Sequence, residues 1–231
     1  MKVDIWSDVV CPFCYIGKRK FEKALEQFSA KDKVEVEWHS FQLDPELEYK
    51  EGQSVHEYLG KRKGGTTADG KKMNDYMTGV AKEVGLEYNF DKAIINNTFD
   101  AHRLLHFAKE KGVQNEMKER LFKAYYTEGK NIGDINTLVQ LAGEVGLNEE
   151  AVRAVLNSDV YAQEVRMDQY EAFQIGVQGV PFFVFNSKYA VSGAQPTEVF
   201  EQVLSKVWQE EKPALIVAEG EGFCDINGNC K

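Results

Sequence analysis

Val3-Asp4-Ile5-Trp6-Ser7-Asp8-Val9-Val10-Cys11-Pro12-Phe13-Cys14 decides how this chain is read. Val3–Trp6 has the composition of a short apolar strand. From Cys14 to about Ala30 the chain turns to a helical pattern, with Phe21, Leu25 and Phe28 at helical spacing. The two cysteines therefore stand where a strand hands over to a helix. One helical turn brings positions three apart onto one face, with Cα atoms roughly 5–6 Å apart, inside the window a disulfide needs. With Cys11 at the N-cap, Pro12 falls at the first helical position, where a missing N–H costs nothing. The free N–H of Cys14 and the helix dipole both favour a thiolate on Cys11. These features predict an exposed, acidified nucleophile at Cys11 and a less exposed resolving thiol at Cys14. Taken alone, a C-x-x-C spacing also fits half a zinc site or two inert core residues.

The chain has 231 residues, 43% of them apolar and 12% aromatic, enough for a substantial core. Its net charge of −9 argues against a nucleic-acid partner, and Lys61-Arg62-Lys63 and Lys71-Lys72 are too short to override it. No apolar run approaches the roughly 18 residues of a membrane span. Met1-Lys2-Val3-Asp4-Ile5-Trp6 enters a strand at once, without room for a cleavable leader, so the expected location is the cytoplasm. In a reducing compartment a cysteine pair is more often catalytic, redox-sensing or metal-binding than structural.

Further along, Val34-Glu35-Val36-Glu37-Trp38 alternates with period two and reads as a second strand, running on towards Leu43 and ended by Asp44-Pro45. Between about Val55 and Ile175 the pattern is helical, with helices expected at Ala93–Glu110, Asn115–Glu128, Ile135–Val145, Glu149–Asn157 and Val160–Ile175. Strand character returns in Val180-Pro181-Phe182-Phe183-Val184-Phe185, an apolar run suited to a strand buried on both faces. Asn186-Ser187-Lys188 is a turn, Tyr189–Ser192 a fourth strand, and Thr197–Glu211 an amphipathic helix.

Strand, helix, strand, long helical stretch, strand, strand, helix is an α/β order. It resembles the thioredoxin fold with a large all-helical insertion, as in the DsbA-like branch of that superfamily, and within it the FrnE-like cytosolic subgroup. The matching pieces are Ser7 to Gly17 around the dithiol, Ala101-His102-Arg103 in the insert, and Gly176-Val177-Gln178-Gly179-Val180-Pro181-Phe182-Phe183-Val184. The resemblance implies a discontinuous thioredoxin-like domain of residues 1–48 and 176–212, an inserted helical domain of 49–175, and a tail of 213–231. It implies a cis Val180–Pro181 bond facing the cysteines, with the Val180 backbone free to pair with an extended substrate. It further implies that Asn97, His102 and Arg103 line a groove between insert and core; helix capping and packing are the plainer roles for them. Phe13, with Trp6 and Tyr15, would shape an apolar surface beside the dithiol.

Two features lie outside this frame. Cys224 and Cys230 flank a turn-forming Asp225-Ile226-Asn227-Gly228-Asn229. They read as a second redox pair that exchanges with Cys11 and Cys14, as a pair with no catalytic role, or as part of a four-cysteine zinc site. His102 and His106 share a helical face at a metal-ligand spacing, but Arg103 holds the place where a metalloprotease needs glutamate. The expected activity is thiol–disulfide exchange on protein cysteines through Cys11, Cys14 and Pro181. It requires no metal and no cofactor beyond the redox-active disulfide, with glutathione or another thiol as co-substrate or recycling reductant. The alternative is a glutathione-dependent small-molecule isomerase of the hydroxychromene-carboxylate type, whose relatives carry serine at the Cys11 position and lack the dithiol.

Overall fold

Among the residues that the computed structural model describes, 1–48 and 52–211, four strands form one sheet. They are β1 (Lys2–Ser7), β2 (Glu35–Ser40), β3 (Phe182–Phe185) and β4 (Tyr189–Ser192), in the order β2-β1-β3-β4. β1 pairs parallel to β2, with Ile5 opposite Trp38, and antiparallel to β3, with Ile5 opposite Phe183. The sheet is mixed and thioredoxin-like. The parallel pair requires a crossover, which α1 (Pro12–Gln27) supplies.

The period-two alternation of β1 sorts its side chains. Val3 and Ile5 face α1 and α9 (Thr197–Glu211), packing with Phe21, Phe183, Phe185 and Phe200, all nearly or fully buried. Asp4 and Trp6 face the other way. Trp6 stacks on His39 at 4.6 Å between ring centroids and donates its indole N–H to the Asp168 carbonyl at 3.0 Å. Trp6 is thus core, not part of a substrate surface. β3 has apolar residues on both faces, but only Phe183 and Phe185 are fully buried; Phe182 and Val184 are half-buried.

The helical stretch contains α2 (Val55–Arg62), α3 (Thr67–Glu83), α4 (Phe99–Glu110), α5 (Gln114–Lys123), α6 (Ile135–Glu144), α7 (Glu149–Leu156) and α8 (Ala162–Gln174). α2 and α3 cross backbone to backbone: a Cβ on Gly70 would lie 2.0 Å from the His56 carbonyl oxygen. The helix expected from Ala93 begins only at Phe99. Asn97 explains the delay. Its Oδ1 accepts from the Phe99 N–H at 2.9 Å, and its Nδ2 reaches the Pro45 and Leu47 carbonyls. Such local bonds compete with the helical ladder. The preceding residues instead bury Leu86, Tyr88 and Phe90 from an irregular segment.

α1 belongs to two cores at once. Its first turns place Cys11, Cys14, Tyr15 and Ile16 in the helical core, while Phe21 and Ala24 belong to the sheet core. The dithiol therefore sits at the seam between them.

Candidate active site

Cys11 is the N-cap of α1, with extended backbone (φ −87°, ψ 113°), and Pro12 opens the helix as the spacing predicted. Two hydrogen bonds fix the approach: Cys11 N–H to the Asp8 carbonyl at 3.2 Å, and Cys14 N–H to the Cys11 carbonyl at 3.0 Å. Tyr88 donates its hydroxyl to the Pro12 carbonyl at 2.7 Å. Both cysteines are free thiols. Val180–Pro181 is cis, as the resemblance implied, and the Cys11 thiol donates to the Val180 carbonyl at 3.4 Å. Pro181 packs on α1 at Gly17, where a Cβ would lie 2.9 Å from the proline ring. Glycine at that position lets the proline loop close against the dithiol helix.

Two expectations for Cys11 fail. It is only 4% exposed, not open at a helix tip, because the Val180 loop and the insert cover it. Its thiol is also held well above the usual cysteine range. Contact with the Cys14 sulfur is the largest cause, followed by burial and the Asp8 carboxylate; the Cys14 backbone N–H works the other way. A dithiol titrates as a pair, so this direction means that the two sulfurs do not both ionise near neutrality.

Below the sulfurs lies a buried charged network. Asp8 (1% exposed) accepts from His102 Nε2 at 3.3 Å and from the Leu43 N–H at 2.8 Å. Burial pushes the Asp8 carboxyl up, but His102 and the Leu43 N–H outweigh it and hold the group below the usual carboxylate range. Burial pulls the His102 imidazole below its ordinary value against the attraction of Asp8. Its Nδ1 has no hydrogen-bond partner among the described residues. Lys118, fully buried on α5, donates among the described residues only to the Ser7 carbonyl, at 3.4 Å, and lies over the Trp38 and Phe122 rings. Burial drives its pKa down to about 8, while the charges of Cys14, Asp8 and Cys11 pull the other way. A cation that feels both sulfurs can stabilise a thiolate on either. Asp8 and Lys118 were not assigned roles from sequence. Lys118 had a signal: it sits on the apolar stripe of α5 with Leu121 and Phe122, where a lysine is out of place.

Phe13 and Val180 line, with Cys11, a cavity of about 710 Å³ between the dithiol and the α2–α3 hairpin. Phe13 is 45% exposed. The three insert residues named for the groove do not line this cavity. His102 faces Asp8. Asn97 ties Gln42 and the Pro45–Leu47 carbonyls to the start of α4. Arg103 is 4% exposed and caps α7, giving hydrogen bonds to the carbonyls of Val155, Leu156, Ser158 and Val160 and to Asp100. Tyr15 is core, stacked on Phe122 at 4.7 Å. His106 pairs with Asp168, not with His102. Cys224 and Cys230 lie outside the described residues.

A second polar cluster joins the sheet to α8. His39 contacts Asp4 at 2.9 Å through Nε2 and Asp168 at 3.0 Å through Nδ1. Asp168 also accepts from Ser40 N–H at 2.7 Å and lies 3.0 Å from His106. Asp4, Glu37 and His39 are close enough to share a metal, as are His39, Asp168 and Glu171. Lys2 pairs with Asp4 and Glu37, Lys109 with Glu37, and Asp168 with His39 and His106, and the fit is that of a salt-bridge network.

Residues 2–205 match the DSBA-like thioredoxin domain. The chain belongs to that family. It is 41% identical to the probable DsbA oxidoreductase SCO1869 from Streptomyces coelicolor, whose crystal structure matches with a TM-score of 0.86 over 99% of this chain and 97% of that one. The uncharacterized protein YwbO of Bacillus subtilis (strain 168) is 33% identical over 208 residues, 88% of this chain and 95% of its own. The cytosolic disulfide reductase DsbM from Pseudomonas aeruginosa shares the fold at 16% identity, with a TM-score of 0.64 over 91% of this chain and all of that one. Within this DsbA-like frame the Cys11–Cys14 pair occupies the start of the first helix. No helix among the described residues is long and apolar enough to cross a membrane.

Proposed function

We propose that this DsbA-like protein is a thiol–disulfide oxidoreductase that acts on protein cysteines in the cytoplasm, within the FrnE-like subgroup. One observation carries the reading: a free dithiol at a helix N-terminus whose first sulfur contacts the carbonyl preceding Pro181. Reduced Cys11 attacks a substrate disulfide, forms a mixed disulfide and releases one substrate thiol. Cys14 then attacks the Cys11 sulfur, releases the second thiol and leaves Cys11–Cys14 oxidised. A small thiol or a recycling partner returns the pair to the dithiol. In the opposite direction the same exchange donates a disulfide. Phe13 and Val180 contact the incoming chain, and Pro181 holds the loop against α1. The isomerase alternative has less support, because it needs no second thiol at Cys14.

Insulin disulfide reduction driven by dithiothreitol tests this. Wild type should exceed dithiothreitol alone, and Cys11→Ser should fall to the thiol background. Wild type no faster than background removes the reading. The tail pair is proposed as a relay to the dithiol. A Cys224→Ser/Cys230→Ser double variant should then be slower than wild type, and equal rates would make that pair peripheral.

A further inference from the structure

We propose that the cavity beside Cys11 binds low-mass disulfides with an apolar arm and an anionic end, a substrate class that the dithiol chemistry itself does not select. The inference rests on the thiol–disulfide reading. Its volume of about 710 Å³ lies within the range of about 300–1,000 Å³ typical of small-molecule sites. Cys11 forms part of the wall, so a bound disulfide meets the nucleophile inside the cavity. Most of the remaining wall is hydrocarbon and sulfur, from Leu47, Val55, Met73, Met77, Phe90 and Ile95, with Asp8, Asn96 and Thr98 among the polar exceptions. Methionines adapt to irregular apolar shapes.

The rim has a different character. Arg62, Lys63 and Lys72 line it, with Asp44 as the exposed-side carboxylate. Arg62 is paired with Asp44 at 2.7 Å, whereas Lys63 and Lys72 form no ion pair among the described residues. In a chain of net charge −9 this rim is locally positive. It complements a carboxylate or phosphate carried at the far end of an apolar arm. Glutathione, which has no apolar arm, would leave the Leu47, Val55 and Met77 part of the wall unfilled.

The step balances with the dithiol alone. Cys11 thiolate displaces one R–S⁻ from R–S–S–R, and Cys14 thiolate displaces the second from Cys11. The substrate gains two electrons, the protein loses two, and the two dithiol protons end on the released thiols.

Pre-reduced protein, freed of reductant, would be mixed with mercaptooctanoate disulfide, hydroxyethyl disulfide or oxidised glutathione. Each second-order rate would be divided by that of dithiothreitol on the same disulfide, which removes intrinsic reactivity. The octanoate disulfide should be preferred by about tenfold or more over both others. Met77→Trp, which fills the cavity, should erode that preference. Lys63→Glu/Lys72→Glu, confined to exposed side chains and so safe for folding, should slow the octanoate disulfide roughly fivefold relative to its methyl ester. No preference in wild type overturns the proposal. So does a charge-reversal variant that treats acid and ester alike, or a Met77→Trp variant that slows insulin as much as the octanoate disulfide, which would assign the cavity to peptide side chains. If no disulfide reacts faster with wild type than with Cys11→Ser, the redox reading fails instead.

Discussion

Two histidines, His102 buried under the dithiol and His39 half-buried at the sheet–α8 junction, sit in networks of opposite quality. His39 has a carboxylate at each ring nitrogen. Burial opposes its charge, but Asp168 and Asp4 more than offset this and raise its pKa to about 9. His102 has Asp8 on one side and no hydrogen-bond partner among the described residues on the other, and burial wins. Its neighbour Lys118 is a fully buried ammonium with one long hydrogen bond among the described residues. Satisfied polar networks fix a structure, whereas partly satisfied ones are costly to keep. The costly one lies against the reactive sulfurs, where a readily changed protonation state is useful.

The strongest way to break this contrast is to remove the shared carboxylate of the satisfied network. Asp168→Ala leaves the His39 Nδ1 without its carboxylate, strands the Ser40 N–H and takes the carboxylate from His106. Removing one partner of a buried pair costs about 3–5 kcal/mol. A urea midpoint should fall accordingly, while insulin reduction per folded molecule should stay within about twofold, since Asp168 hydrogen-bonds to neither cysteine and reaches the dithiol network only through its charge on His102. A loss of activity without loss of stability would merge the two networks into one.

Lys118→Met should behave in the reverse sense. Replacing a buried, poorly paired cation by an apolar chain of similar length should raise stability by about 1–3 kcal/mol near neutrality. Reduction of disulfides should slow by about tenfold or more, because Cys14 and Cys11 lose the cation that favours their thiolates. Stability and activity moving in opposite directions would mark a functional strain. A stability loss with full activity would make Lys118 a packing residue.

Much of this was legible in the chain, and the reasons are local. Cys-Pro-Phe-Cys announces a helix start because proline tolerates only a few helical positions. The strand order follows from alternation in Val34–Trp38 and the apolar Val180–Phe185 run. Interactions between distant segments were harder to read. Nothing local says that Arg103 would cap α7, that Asn97 would delay α4, or that Tyr88 would reach Pro12 across 76 positions of sequence. Cys11's burial is likewise a tertiary property, set by the Val180 loop and the insert. Lys118 is the exception, because a lysine on the apolar stripe of α5 signals a buried charge from the sequence alone.

The finest test of the contrast is the pH dependence of stability, where the two networks have opposite signs. His39 is raised from its ordinary 6.5 to about 9, so its contribution is complete below about pH 6.5 and is lost as pH rises through about 9. Lys118 is lowered from 10.5 to about 8, so its burial penalty is present below about pH 8 and is relieved above it. Each proton contributes a slope of about 1.4 kcal/mol per pH unit at most. In wild type, stability should decline from about pH 6.5 to 8 and then flatten towards pH 9, as the two slopes cancel. In Lys118→Met the decline should run on through pH 9. Urea titrations at half-unit intervals resolve the difference. A flattening that survives the substitution would assign the alkaline proton to another group and leave Lys118 charged throughout.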